Sequence, residues 1–183
     1  MVMVRENVAH TLQRLRLTCL KARDLLLGVT LAHLLLALGI VPLTLGTALL
    51  FGFQNHGSLL LAGLVCLLLS LSSIGFGLMV ACFARTDSEA ANLGAAVGVL
   101  QVLLTDAMYP VPSAPIVHIG ERAIEIYDLL PPTHAAEALR RVLILGDGIT
   151  AISFELAALT LFAGVTLFAG IILYHKLQLK RRT

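Results

Sequence analysis

The sequence predicts an all-α, polytopic membrane protein with four transmembrane helices, an N-terminal amphipathic helix and a re-entrant or interfacial helical pair before the last span. Of its 183 residues, 58% are apolar and 13% are charged, whereas soluble domains carry roughly 45–50% apolar and about 25% charged residues. The 60 residues from Leu25 to Ala84 contain no Asp, Glu, Lys or Arg. One transmembrane helix needs about 20 apolar residues, so this stretch is long enough for two spans.

Residues 1–24 form the first predicted unit, a cytoplasmic amphipathic helix. Val8, Leu12, Leu15 and Cys19 recur at helical spacing, and polar or charged residues fill many of the other positions. This pattern is typical of a helix that lies on a membrane surface or against a partner. A solvated lead-in to the first span fits the pattern equally well, so both interpretations remain open.

The transmembrane domain is predicted to cover residues 25–183. Its apolar runs are separated by a polar turn at Gln54–Ser58 and by a hydrophilic connection at Arg85–Glu89. Only Ala90–Thr105 of the third run is free of charge, which makes this span short. The expected spans are 25–53, 59–83, 90–108 and 149–174.

The segment 109–148 is too polar to cross a bilayer and too apolar for an ordinary surface loop. Prolines at its start prevent a helix there. An apolar-faced stretch at 116–130 precedes Pro131-Pro132, and a second apolar stripe follows at 135–143. Gly146 is expected to end the second helix as a C-cap. We therefore predict two short helices that lie in the interface, or dip into the membrane and return.

The basic residues predict the orientation of the chain. Ten of the thirteen Lys and Arg residues lie in residues 1–24, in the 84–89 connection and in the tail after the last span. The other three lie in the segment 109–148, where acidic residues outnumber them. By the positive-inside rule, both termini of this multi-pass protein are expected in the cytoplasm.

Composition and motifs exclude several classes of function. The net charge of +2 is too small for a phosphate-binding surface, so we expect no nucleic-acid partner. The apolar runs indicate that the chain is surrounded by a lipid bilayer. The cysteines Cys19, Cys66 and Cys82 lack metal-ligand or disulfide spacing. The sequence also contains no glycine-rich nucleotide loop and no nucleophile–base pair. We therefore expect no enzyme activity, no catalytic residue, no metal and no cofactor.

Four blocks of sequence, in order along the chain, resemble a known family. They are Arg5-Glu6 with Thr11–Leu15, Ser73–Leu78 with Phe83–Thr86, the proline-containing exit from span three at Leu103–Pro110, and Leu130–His134 with Glu137–Arg140. Each block alone is a weak signal, but together they are distributed along nearly the whole chain and are more specific. In these blocks the chain resembles the C-terminal portion of the type-2 ABC exporter permease family.

This resemblance implies the permease part of an ATP-driven exporter in the plasma (inner) membrane, corresponding to the last four of six spans. The implied partners are an ABC ATPase subunit and either a second permease copy or a complementary two-span half. Residues 1–24 would then be a coupling helix that docks on the ATPase. The implied coupling residues are Glu6, Thr11, Leu12, Gln13, Arg14 and Leu15. The alternative for this helix is adsorption to the anionic inner leaflet through its basic residues.

Four glycines are candidate helix-packing residues. Gly75 and Gly77 lie in the second span, and Gly94 and Gly98 form a small-xxx-small pair in the third. Small residues let helix backbones approach closely in a membrane. Packing within one subunit is the simpler interpretation, and a contact between subunits is the alternative.

A different class of function also fits the sequence. The chain could be a non-transporting membrane protein, either a truncated remnant or an accessory or assembly subunit. It carries no feature that names a substrate, because similar membrane folds serve many functions.

Overall fold

The computed structural model describes residues 22–84, 86–105, 115–119 and 122–180, and within them the chain is almost entirely helical. In chain order, the elements are α1 (Ala22–Leu50), α2 (Leu59–Phe83), α3 (Asp87–Leu103), β1 (Pro115–Ile119), β2 (Arg122–Glu125), α4 (Pro131–Arg140) and α5 (Ser153–Lys180). A 3-10 turn at Ile126–Leu129 precedes α4, and a π-helical turn at Arg141–Leu145 follows it. The predicted all-α class is therefore confirmed.

Among the described residues, three helices are long and apolar enough to cross a membrane: Leu27–Leu50 of α1, Leu59–Phe83 of α2 and Ser153–Leu173 of α5. Helix α3 has 17 residues and is about 25 Å long at 1.5 Å per residue. It also begins with acidic residues, at Asp87 and Glu89. The polytopic membrane architecture is thus confirmed, while the count of four spans stays a prediction.

Local residue chemistry sets the ends of the helices around the two short connections. After α1, Gly52 has a φ of 86°, a conformation that glycine adopts without steric cost. The side chain of Ser58 accepts a hydrogen bond from the backbone N–H of Leu61 and caps α2. In the same way, Thr86 accepts from the N–H of Glu89 and caps α3. Ser and Thr are favoured at this position because they satisfy a free N–H of the first turn.

The prediction that segment 109–148 begins with a short helix is wrong. Strands β1 and β2 form an antiparallel hairpin there, with His118 paired to Ala123 and Ile119 to Arg122. This stretch is rich in β-branched Ile and Val, whose stiff side chains favour strands over helices. The apolar residues of a short run do not by themselves distinguish a strand from a helix.

The second helix of the predicted pair is present as α4. Pro131 and Pro132 occupy its first turn, where a missing backbone N–H is tolerated. The π-helical turn that continues α4 ends at Gly146, which has a φ of 73°. The prediction that Gly146 ends this helix is therefore confirmed.

Buried apolar residues form two clusters along α2. One cluster joins the first half of α2 to α4 and α5, and it includes Val65, Ala138 and Leu159. The other lies near the end of α2 and includes Leu78, Cys82 and, from α3, Ala90. We call α2, α4 and α5, with the π-helical turn at Arg141–Leu145, the core block, because most of the buried apolar residues lie on these elements. In α1, every side chain from Leu27 to Leu50 remains at least partly exposed.

Candidate functional site

The closest contact between two spanning helices joins α2 to α5. A side chain at Gly75 would overlap Thr166 Oγ1 and would place its Cβ 2.7 Å from the backbone nitrogen of Leu167. The Thr166 hydroxyl lies 2.8 Å from the carbonyl oxygen of Phe162 on its own helix and 3.3 Å from that of Ser72 on α2. The two backbones therefore meet at a glycine, and a threonine hydroxyl lies between them.

Helix α4 is held against α5 by a buried histidine. His134 donates a hydrogen bond from Nε2 to the carbonyl oxygen of Asp128 at 2.8 Å. Its ring centroid lies 5.9 Å from the rings of both Phe154 and Phe162 on α5. The side chain is only 5% exposed. Its hydrogen bond satisfies a polar atom that would otherwise be costly to bury.

Glu137 and two arginines form the charged part of this junction. Arg141 Nε donates to Glu137 at 2.7 Å, and its Nη1 donates to the carbonyl oxygen of Ala151 at 3.2 Å. Arg140 lies 2.9 Å from the same carboxylate and is more exposed. Arg141 thus connects the end of α4 to the turn that leads into α5.

These contacts shift the pKa values of both partners in the junction. Burial alone would raise the pKa of Glu137, but hydrogen bonds from Arg141 and Arg140 and their positive charges outweigh it and lower that pKa. The pKa of Arg141 is raised, first by its hydrogen bond to Glu137 and further by the negative charges of Glu155, Glu137 and Asp147. The Glu137–Arg141 pair is therefore fully ionised near neutral pH.

Glu155 lies in the first turn of α5 and is 1% exposed. A carboxylate in the first turn of a helix is favoured by the helix dipole. Its charge also acts on Arg141. This acidic residue therefore belongs to the packed junction between α4 and α5.

The connection between α1 and α2 is attached to the π-helical turn after α4. The backbone N–H of His56 donates to the carbonyl oxygen of Leu143 at 3.0 Å. A Cβ at Gly57 would overlap the carbonyl oxygen of Val142, and one at Gly146 would lie 2.9 Å from that of His56. Glycines thus permit a direct backbone contact, which fixes the connection before α2 to the π-helical turn after α4.

The predicted packing glycines lie in different surroundings. Gly75 is at the α2–α5 contact, whereas a Cβ at Gly77, Gly94 or Gly98 would meet nothing within 4 Å among the described residues. Gly77 and Gly94 line a cleft of about 290 Å³ between α2 and α3. The predicted coupling residues lie outside the described residues. They are Glu6, Thr11, Leu12, Gln13, Arg14 and Leu15.

Sequence reasoning did not identify the polar residues that hold the core block together. Thr166 and Ser72 lie in apolar runs and give no motif, although Ser and Thr close to Gly75 or Gly170 are a signal for helix contact in membranes. His134 lies in one of the four family-like blocks and Arg141 directly follows the same block, but neither position predicts a contact with α5. Their contacts depend on the way α4 returns to α5, which local sequence does not specify.

The polar contacts of the described site fix the segments on either side of α4. His134 donates to the carbonyl oxygen of Asp128 before this helix. Arg141 pairs with Glu137 and donates to the carbonyl oxygen of Ala151 after it. Among the residues that the structure describes, no three potential metal ligands come together. The arrangement can hold one group of helices rigid while another moves against it.

Comparison with known proteins identifies the family. The family model described as ABC-2 family transporter protein matches residues 1–172. ABC transporter G family member 20 of Dictyostelium discoideum is 26% identical over 147 residues, which are 80% of this chain and 20% of that relative. The chain therefore spans about a fifth of the length of the relative, and no solved structure is significantly similar to it. Because the family match covers almost the whole chain, the protein belongs to the ABC-2 family of transporter membrane proteins and is a transporter permease component.

Proposed function

We propose that this chain is the membrane permease part of an ATP-driven exporter that moves its substrate out of the cytoplasm. ATP hydrolysis would occur in a separate ATPase subunit, and the working assembly would contain a second permease copy or a complementary two-span half. Family membership supports the transport role. The unequal packing of α1 and the core block is the observation that carries the mechanism.

Helix α1 has the properties of a lever. It is one continuous helix of 29 residues, about 44 Å long, which exceeds the roughly 30 Å of a bilayer core. Its described part begins at Ala22, within the last three residues of the predicted coupling segment 1–24. A force applied by an ATPase at this end would therefore be transmitted along α1.

The core block is the packed group of helices relative to which α1 would tilt. The backbone contact at Gly75 joins α2 to α5, and α4 is held to α5 by the ring contacts of His134 and to the turn before α5 by Arg141. In contrast, α1 is exposed along its whole described spanning length. The α1 side chains that pack against the buried clusters, Val29 and Leu45, are themselves only partly buried, so a tilt of α1 would not open a fully buried core, which suits alternating access driven from the cytoplasmic side.

The proposed topology has four spans with both termini in the cytoplasm of a plasma (inner) membrane. Its support is the distribution of Lys and Arg. In this topology α3 is the third span, and α5 is the fourth. The exposed small residues Gly77, Gly94 and Gly98 provide surfaces for helix packing, within the subunit or with a second copy.

The docking of residues 1–24 is tested by replacing Leu12 and Leu15 with Asp in the full chain. We expect this variant to insert normally, since both residues precede the first span, and to lose an ATPase that co-purifies with wild type in mild detergent. A carboxylate placed in an apolar groove loses its water without gaining a partner. Mass spectrometry identifies the ATPase from the peptides of its nucleotide-binding loop.

Leu17→Asp is the matched control, because Leu17 lies off the stripe that contains Leu12 and Leu15, and it should leave the ATPase bound. An ATPase that remains bound to the double variant would reject the coupling role. If no ATPase accompanies even the wild type, the non-transporting remnant or accessory subunit is the better interpretation. In that case, neutralising the four basic residues of the helix should release it from anionic vesicles. These are Arg14, Arg16, Lys21 and Arg23.

A further inference from the structure

An open groove runs between α1 and α2 on the side of these helices next to the Phe51–Ser58 connection. Its volume is about 560 Å³. Residues from the second half of α1 and the first half of α2 line it, among them Leu38, Pro42, Leu45, Leu60 and Leu64. All of its described lining residues are aliphatic, proline or glycine, so none of their side chains forms hydrogen bonds.

Two glycines leave open space along the groove. Gly46 on α1 and Gly63 on α2 both line it, and a Cβ at either position would meet nothing within 4 Å among the described residues. These positions differ from Gly75, where the neighbouring backbone fills the space. A Cβ added at Gly46 or Gly63 would therefore occupy open space at the groove rather than displace a described protein atom.

The groove lies between two helices that can each span a membrane, so the solvent around it is hydrocarbon. Water gains no hydrogen bonds from such a lining, and an empty space forfeits dispersion contacts. An apolar cavity of about 150 Å³ holds one benzene ring. By proportion, this groove accommodates roughly 20 carbon atoms, about the size of one long acyl chain.

The Phe51–Ser58 connection at one end of the apolar groove is polar, as the headgroup end of a lipid-binding site would be. At one end the groove reaches Leu49 and Leu59, which flank the connection, and Gln54, His56 and Ser58 are exposed there. The connection contains hydrogen-bonding side chains but no Asp, Glu, Lys or Arg. Such a surface suits a headgroup without net charge.

We propose that this groove binds one acyl chain of a bilayer phospholipid, with its zwitterionic headgroup at the polar connection. The bound chain fills the space between α1 and the core block and acts as a soft packing layer between them. This site is separate from the predicted coupling helix. The proposed lipid binding does not depend on whether the chain is part of an exporter.

The test uses the full chain reconstituted in phosphatidylcholine vesicles that contain a phosphatidylcholine with a photoactivatable diazirine on its acyl chain. After illumination, we expect peptides that cover 38–49 and 59–67 to carry at least five times more label than the exposed face of α5 around Phe168. Replacing part of the unlabelled phosphatidylcholine by phosphatidylglycerol should raise this labelling, because the anionic lipid is expected to compete less well for the site. Equal competition by the two lipids would overturn the headgroup assignment.

The variant Gly46→Leu/Gly63→Leu fills the groove and should reduce its labelling at least fivefold. The matched control is Gly39→Leu/Gly164→Leu, since these two glycines also have open surroundings among the described residues but are not in the groove lining. The control should label like wild type, and both variants should retain the wild-type thermal unfolding temperature.

Two results would overturn the proposal. One is label spread evenly over all exposed spanning faces, or retained in the filled variant. The other is coverage of the groove by a second copy of the chain. In that case Leu64→Cys would form a disulfide between two protomers in the membrane, and the groove peptides of wild type would take up no label.

Discussion

The two long helices α1 and α2 are both strongly apolar, yet they are packed very differently. Helix α2 contains eight buried residues among its 25, while the side chains of α1 remain at least partly exposed from Leu27 to Leu50. In lipid, apolar side chains gain little by leaving the hydrocarbon, so close packing depends on shape and hydrogen bonds. Helix α2 meets α5 through Gly75 and Ser72, whereas the glycines of α1 meet open space among the described residues. Apolarity therefore places both helices in the membrane, and small residues determine which of them packs closely against another helix.

The largest loss of stability is expected when a side chain is added at the α2–α5 contact. Gly75→Leu should lower the free energy of unfolding by about 3 kcal/mol, at the upper end for overpacking, because backbone atoms of α5 occupy the space. Gly77→Leu is the control, since its Cβ would meet nothing within 4 Å among the described residues. Reversible unfolding in mixed detergent micelles measures both.

The control should change stability by no more than about 0.5 kcal/mol. If Gly75→Leu proved as stable as Gly77→Leu, the helices would not be in contact at Gly75. The distinction between α1 and the core block would then lose its main support.

A smaller effect is expected at the junction of α4 and α5. Arg141→Ala removes the hydrogen bonds to Glu137 and to the carbonyl oxygen of Ala151, and should cost about 1 to 2 kcal/mol because the pair is only partly buried. Arg140→Ala is the matched control, since the Arg140 side chain is 63% exposed and exposed ion pairs contribute little.

Limited proteolysis between α4 and α5 provides a second measurement of the same junction. Cleavage near Asp147–Thr150 should be faster in Arg141→Ala than in Arg140→Ala. Equal stability and equal cleavage of the two variants would show that Arg141 does not hold α4 to α5.

The smallest expected effect is the pH dependence of the same pair. The folded pKa of Glu137 lies below its ordinary value of 4.5, so its contacts contribute stability that is fully present above pH 4.5. This contribution is lost as the pH falls from about 4.5 through the folded pKa. The unfolding temperature of wild type should fall in this range more steeply than that of Glu137→Gln, which has no carboxylate to protonate.

Parallel curves for wild type and Glu137→Gln between pH 5 and pH 3 would contradict the assignment of this pair. The comparison of the two curves is needed because other carboxyl groups titrate in the same range. Only the difference between them reports on Glu137.

Much of the fold could be predicted from local sequence. The charge-free run from Leu25 to Ala84 identified a membrane protein, because burying so many apolar residues in a soluble core of this size is not feasible. The end of the α4 segment at Gly146 followed from the tolerance of glycine for a positive φ. The hairpin at Pro115–Glu125 was missed, because apolar spacing was weighed more heavily than the β-branched character of its residues.

The sequence by itself determined that this chain lies in a membrane and where the helix-ending residues fall, because hydrophobic length and capping are properties of a few neighbouring residues. It did not determine which helices touch. A helix that is apolar on all sides has no stripe to indicate its buried face, so nothing local distinguishes Gly75, which contacts α5, from Gly77, which does not. Only the tertiary structure decided that contact, the burial of His134 and Glu155, and the open groove beside α1, because each depends on residues that are far apart in the chain.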